Sequence, residues 1–280
     1  MALKRPRGIG SETAGTLVVL EHHSRILKGN PLGDPHLRKL GVWLPPGYDD
    51  GGRSSRPKRF PVLYDLVGFT GSGLAHANWK PFGDNVPERA ARLIHEKKMG
   101  PAIIVFPDCF TALGGNQYVN SSAIGDYADY LTREIVPFVD REFRTLASRD
   151  HRGCFGKSSG GYGSIIHGMK YAKYWGAIAD HSGDAYFEFV YWHDWPNTLN
   201  ELAKYRRSKT SKNLAKGLDD GRIKRFLNHV WKREKLSGKE GHAIMNLCMA
   251  ATYDPDPRAP LGFRIPFNAE TGEATRPRLA

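Results

Sequence analysis

Long apolar segments are absent from this 280-residue sequence. The longest apolar stretches, 16–20 and 102–106, are five residues each. Both are too short to span a bilayer, which takes about 20 residues, or to form the apolar part of a signal peptide. The basic residues 1–10 are not followed by such a stretch either. We therefore expect a cytoplasmic protein without a membrane span.

Cysteine is scarce as well. The three cysteines, Cys109, Cys154 and Cys248, are an odd number and lie in no Cys-x-x-Cys or Cys/His spacing. This argues against a disulfide framework and against a zinc site. We expect three buried thiols and no metal ion.

Positive charge is abundant and unevenly spread. The chain carries a net charge of +12, and residues 201–239 hold 13 Lys and Arg against 4 acidic residues. Such a cluster fits a surface that attracts anions, or the solvated side of a helix. Apolar residues at helical spacing favour the solvated helix and make nucleic acid an unlikely partner: Ile223, Phe226, Leu227, Val230 and Trp231.

The first 150 residues alternate short strand-like segments with longer helix-like ones, which predicts an α/β fold with a mostly parallel sheet. The predicted helices are 87–98 and 125–143, and Pro137 should kink or shorten the second. The first two predicted strands are expected to form an antiparallel pair that precedes the parallel strands. The predicted strands are 15–22, 38–44, 60–66 and 102–107.

A third strand-and-helix unit contains the candidate catalytic serine. Gly156, Ser158 and Gly160 fit the pattern G-x-S-x-G, between strand-like residues and an apolar helix. This pattern places a serine on a sharp turn, with its hydroxyl exposed as a nucleophile. The N–H of the next residue, Ser159, is then placed to stabilise an oxyanion.

The same segment does not match two other motifs. A phosphate-binding P-loop ending at Ser158 requires glycine at 151, where His151 stands. A dinucleotide-binding fingerprint starting at Gly161 requires glycine at 166, where Ile166 stands. The serine elbow is therefore the motif that we retain.

Four blocks of residues resemble the putative esterase family of α/β-hydrolases, which includes esterase D (S-formylglutathione hydrolase), enterochelin esterase-like proteins and the mycolyltransferases. The similarity runs from about residue 17 to about residue 271. The blocks are 60–68 (FPVLYDLVG), 107–108 (PD), 115–121 (GNQYVNS) and 156–163 (GKSSGGYG).

The resemblance implies roles for individual residues. Ser158 matches the nucleophile, and the N–H groups of Ser159 and Phe69 match the oxyanion donors. Family members usually read His-Gly in the loop before Phe69, where this chain reads Val-Gly, but a backbone donor needs no particular side chain. The resemblance also implies that three residues line the acyl or alcohol pocket: Asn116, Gln117 and Tyr118.

The base and the acid are harder to identify. The resemblance implies that an aspartate and then a histidine follow on later strands, beyond the match to 253–264, and no such pattern follows Ile178. We therefore expect a hydrolase shortened at its C-terminus, with its last strands missing, which puts its activity in question. His181 is the favoured substitute base and Asp184 the favoured acid. The other candidate bases are His193, His229 and His242.

Missing strands would also expose a sheet edge at 176–179 and allow a homodimer. The expected organisation is an α/β-hydrolase core at 1–185, a helical, basic, cap-like insertion at 186–252 and an irregular tail at 253–280.

The expected function is cleavage of a small-molecule carboxylic ester through an acyl-enzyme on Ser158, without a cofactor. An acyltransferase, or a non-catalytic anion-binding protein on a hydrolase scaffold, remain as alternatives.

Overall fold

A computed structural model describes residues 14–48, 57–206 and 221–275. Six strands form one sheet: β1 Thr16–His23, β2 Leu37–Leu44, β3 Val62–Leu66, β4 Ile103–Pro107, β7 Arg152–Lys157 and β8 Ala177–His181. Their order in the sheet is β1-β2-β4-β3-β7-β8. β1 and β2 are antiparallel to each other and β2 is antiparallel to β4, whereas β4, β3, β7 and β8 are parallel.

The predicted α/β architecture, with an antiparallel pair of strands before the parallel ones, is thus confirmed. The bounds of the predicted strands are correct to within two residues. A short hairpin, β5 Asn120–Ser121 and β6 Gly125–Asp126, lies outside the main sheet. The helices are α1 Val86–His95, α2 Tyr127–Asp129, α3 Val136–Glu142, α4 Ser159–Lys170, α5 Phe187–Val190, α6 Trp195–Ala203, α7 Arg222–Val230 and α8 Gly238–Tyr253.

The helix predicted at 125–143 is continuous but contains a wider turn. A π-helical segment, Tyr130–Ile135, joins α2 to α3, and the Val136 N–H donates to the Leu131 carbonyl five residues back. Pro137 has no N–H and its ring crowds the carbonyl four residues before it, so a wider turn at this point relieves the clash. The sequence predicts that Pro137 kinks or shortens the helix, and the structure has a π-helical segment just before it.

One large hydrophobic cluster joins the sheet to the helices on one face. β4 is buried along its whole length, as a strand covered on both faces should be. The apolar side chains of α6, α7 and α8 belong to the same cluster, through Leu202, Phe226 and Leu247 among others. In α7 the buried stripe contains four of the five predicted residues, Ile223, Phe226, Leu227 and Val230, whereas Trp231 follows the helix and is exposed.

Several expectations about surfaces and thiols can be compared with this fold. All three cysteines are buried free thiols, as predicted. No helix in the described ranges is long and apolar enough to cross a membrane. Residues 207–220, which hold part of the basic cluster, lie outside the described residues. Within the described part, β8 forms an edge of the sheet and each of its residues is exposed.

Candidate active site

Ser158 lies on a sharp turn between β7 and α4. Its φ of +57° is in the left-handed region, which is strained for a non-glycine residue. The Ser158 N–H donates to the His181 carbonyl at 3.1 Å, which ties the turn to β8. A Cβ added at Gly160 would lie 1.8 Å from the Leu66 carbonyl oxygen, so only glycine allows α4 to approach β3 this closely. The local sequence thus forms the strand-turn-helix that the motif predicts.

An open cleft of about 260 Å³ lies over the turn. Ser158 forms part of its wall, and the loop after β3 forms most of the rest. The residues that line the cleft are Val67, Gly68, Phe69, Thr70, Gly71, His76, Lys157 and Ser158.

Backbone donors are available beside Ser158. The Phe69 N–H donates to no protein acceptor in the described part of the chain. Its loop is held by a 2.7 Å hydrogen bond from the Thr70 N–H to the Gly114 carbonyl. Ser159 is the first residue of α4, where a helical N–H has no partner four residues earlier. Both N–H groups can therefore stabilise negative charge that develops on a bound carbonyl oxygen.

Asp184 follows β8 and accepts hydrogen bonds from four side chains around the nucleophile. Ser158 Oγ donates to its Oδ1 at 3.3 Å, and Ser159 Oγ, Gln117 Nε2 and Tyr191 Oη donate to its Oδ2 at 3.2, 3.2 and 2.7 Å. Burial raises the pKa of the Tyr191 hydroxyl, and the hydrogen bond to Asp184 adds to this rise. Asp184 is therefore the carboxylate that the Ser158 hydroxyl contacts in this structure.

The three residues expected at the pocket wall are buried, and none of them is among the residues that line this cleft. Gln117 is completely buried within the Asp184 network. Asn116 is buried and bonds to the Cys109 carbonyl and the Tyr118 N–H. Tyr118 has a φ of +58°, and its hydroxyl donates to the Val67 carbonyl at 2.7 Å. The structure therefore places these side chains where they support the cleft.

A buried histidine supports Tyr118 in turn. His167 Nε2 lies 2.9 Å from the Tyr118 carbonyl, and Trp175 Nε1 donates to His167 Nδ1 at 3.1 Å. These partners require a neutral ring with its hydrogen on Nε2. Burial lowers the pKa of His167 to about 4, although the hydrogen bond to Tyr118 opposes the shift.

The candidate bases are not brought to Ser158 by side-chain hydrogen bonds in the described residues. His181 is exposed at the end of β8, and its contact with Ser158 is through its carbonyl. His193 and His242 lie 3.4 and 3.3 Å from the carboxylate of Asp194, and His229 lies 3.7 Å from Glu240. None of these four histidines lines the cleft described above.

A different histidine does line the cleft, and the sequence analysis missed it. His76 Nδ1 lies 2.9 Å from both carboxylate oxygens of Asp65, a residue of β3 that is 1% exposed. Burial raises the pKa of the Asp65 carboxyl, and the hydrogen bond with His76 opposes the rise. The available signal was the acidic residue in the otherwise apolar strand VLYDL.

Comparisons with known proteins find similarity to esterases. Two proteins of Mycobacterium tuberculosis named as esterases, from strains CDC 1551 / Oshkosh and ATCC 25618 / H37Rv, are each 34% identical to this chain over 153 residues. Each match covers 52% of this chain and 29% of the relative, so the chain spans less than a third of the length of these curated relatives.

A solved structure described as a ferulic acid esterase superposes with a TM-score of 0.50 at 23% identity, covering 61% of this chain and 59% of that one. This likeness shows a shared fold. The sequence model of the family described as "Putative esterase" matches residues 35–235, well over half of the chain. The protein therefore belongs to the putative esterase family, whose members have the α/β-hydrolase fold.

Proposed function

We propose that this chain cleaves a small carboxylic ester through an acyl-enzyme on Ser158. The observation that carries the proposal is the strained turn, which holds the Ser158 hydroxyl in an open cleft beside two backbone N–H donors. A serine nucleophile splits ester cleavage into two easier steps. The family membership of the chain supports the same reaction class.

The roles of the neighbouring groups follow from their contacts. The Phe69 and Ser159 N–H groups stabilise the oxyanion, and the removal of one such donor typically slows an enzyme by about 10²–10³-fold. Asp184 orients the Ser158 hydroxyl through the 3.3 Å hydrogen bond. Gln117 and Tyr191 position Asp184, and Asn116 and Tyr118 hold the loop that carries the oxyanion donor.

Labelling with a fluorophosphonate tests this proposal directly, because the reagent modifies activated serines. Purified wild-type protein should gain the mass of one phosphonyl group, located at Ser158 by peptide mapping. Ser158→Ala should gain none, and Ser159→Ala, which keeps the backbone donor, should still be labelled. A folded wild-type protein that resists the reagent would contradict the proposal.

Product analysis separates hydrolysis from acyl transfer. With p-nitrophenyl acetate as the probe and glycerol as an added alcohol, a hydrolase releases mostly acetate. A transferase releases mostly the glycerol ester. We expect acetate, since the cleft is open to water.

A further inference from the structure

The pairing of Asp65 with His76 is unusual for its position. Asp65 lies within β3, between the fully buried side chains of Tyr64 and Leu66. A carboxylate in such surroundings is costly unless it is paired. Both of its oxygens lie 2.9 Å from one nitrogen of His76, which is 11 residues further along the chain.

The contact with Asp65 determines which nitrogen of His76 carries the hydrogen and which carries the lone pair. A carboxylate accepts hydrogen bonds, so the hydrogen of the neutral ring is on Nδ1. Nε2 then carries a lone pair and can accept a proton. A buried aspartate that orients a histidine in this way also stabilises the imidazolium that forms when Nε2 takes a proton.

The position of His76 brings this group to the nucleophile. His76 ends the short helical turn Gly73–His76, and its side chain is 34% exposed. It lines the same cleft as Ser158 and Phe69. A general base acts from such a position directly or through one water molecule.

Ser158 also has a direct carboxylate partner, Asp184. A carboxylate is a weak base for a serine hydroxyl, because general bases are most effective when their pKa lies near the working pH. An imidazole meets that condition better. Asp184 therefore suits orientation of the hydroxyl, and His76 suits removal of its proton.

We propose that His76, oriented by Asp65, is the general base and acid for Ser158. This assignment rests on the proposed ester cleavage. As the bond from Ser158 Oγ to the ester carbon forms, the hydroxyl proton moves to His76 Nε2. The bond to the alcohol oxygen then breaks, and the alcohol leaves with that proton. Water next attacks the acyl-enzyme and gives a proton to Nε2, which returns it to Ser158 Oγ as the acid departs.

His76→Asn is the sharpest test, since the asparagine amide can keep the hydrogen bond to Asp65 but provides no base. We expect the rate of fluorophosphonate labelling at Ser158 to fall by about 10²–10⁴-fold. Asp65→Asn should slow labelling as well, because it removes the carboxylate that orients the ring. His95→Gln, an exposed histidine on α1, should label at the wild-type rate.

A pH profile separates a base from a purely structural pair. The charged groups around His76 are Asp65, Lys157 in the cleft wall and Lys80, whose charge acts on Asp65. Wild-type labelling should slow in acid, because a general base accepts a proton only in its unprotonated form. The residual labelling of His76→Asn should lack this dependence, and imidazole should restore labelling to His76→Ala.

Each outcome has a separate meaning. If the wild type is labelled and His76→Asn keeps both its rate and its pH profile, the assignment of His76 is wrong while the proposed function stands. Loss of labelling in His181→Gln with full labelling in His76→Asn would transfer the role to His181. If the wild type itself is not labelled, both proposals are wrong. Should His76→Asn fail to melt cooperatively, His76→Gln and the wild-type pH profile decide the question.

Discussion

Gly160 is the residue at which the serine turn tolerates least change. A Cβ there would lie 1.8 Å from the Leu66 oxygen and 2.5 Å from the Leu66 carbonyl carbon, both of them backbone atoms of β3. Neither atom can move without disturbing the hydrogen bonds of the sheet. The contact between α4 and β3 thus depends on the absence of a side chain.

Gly160→Ala should therefore destabilise the fold by at least about 3 kcal/mol, the upper end of the usual cost of overpacking. It should also abolish labelling of Ser158. Urea denaturation measures the first effect and intact mass the second. Gly241→Ala is the matched control within α8, where an added Cβ meets nothing within 4 Å. That change should stabilise the protein by about 0.5–1 kcal/mol. Equal stability of the two variants would refute this account.

Helix α4 depends on a histidine that stays neutral. The pKa of His167 is lowered to about 4 by burial, whereas the unfolded chain protonates it near 6.5. The unfolded state therefore binds more protons between these values. The stability that this residue contributes is complete above pH 6.5 and is lost as the pH falls toward 4.

The loss should amount to about 3 kcal/mol, because each tenfold difference in proton affinity between the folded and unfolded states is worth about 1.4 kcal/mol. His167→Gln removes the titration and keeps an amide donor for Tyr118. Its stability should depend less on pH between 7 and 4 than that of the wild type, as measured by urea denaturation at several pH values. Parallel pH profiles of the two proteins would show that His167 is not the group responsible.

The secondary structure elements differ in how far the sequence predicts them. β4 and α7 follow directly from their apolar patterns, since a strand buried on both faces has a continuous apolar run and a helix buried on one stripe has apolar residues at helical spacing. The π-helical segment before Pro137 does not follow from the sequence. A proline indicates that the helix is distorted, but it does not indicate which kind of distortion results. The turn at Ser158 is predicted from its glycines.

The surroundings of that turn are harder to predict from the sequence. Asp184 could be proposed because it closely follows a strand. His76 and Tyr191 could not, since each comes to the site through tertiary packing of a loop or a helix end. No periodic spacing links His76 to Asp65 or Tyr191 to Asp184, so the apolar pattern that reveals the sheet does not reveal these pairs.

At the scale of the whole molecule, the exposed edge strand β8 is a surface through which two copies can associate. Its edge carries unpaired backbone groups in the described part of the chain, and unprotected edges pair with other strands. We expect two copies to associate, with a sedimentation coefficient that rises with concentration. Ala179→Lys places a charge on this edge and should weaken association. Ala172→Lys, exposed but outside the strand, is the control. A wild type that sediments as a monomer at all concentrations would contradict the expectation.

The three buried thiols make the protein's own motions measurable. Burial raises the pKa of Cys154 and of Cys248 to about 12, and it raises that of Cys109 as well. A thiol reagent therefore reacts when the surrounding structure opens. Cys154 lies in β7, Cys248 in α8, and Cys109 just after β4. The alkylation rate at each position reports the free energy of opening of its own region, so one unmodified chain can reveal whether sheet and helices open together.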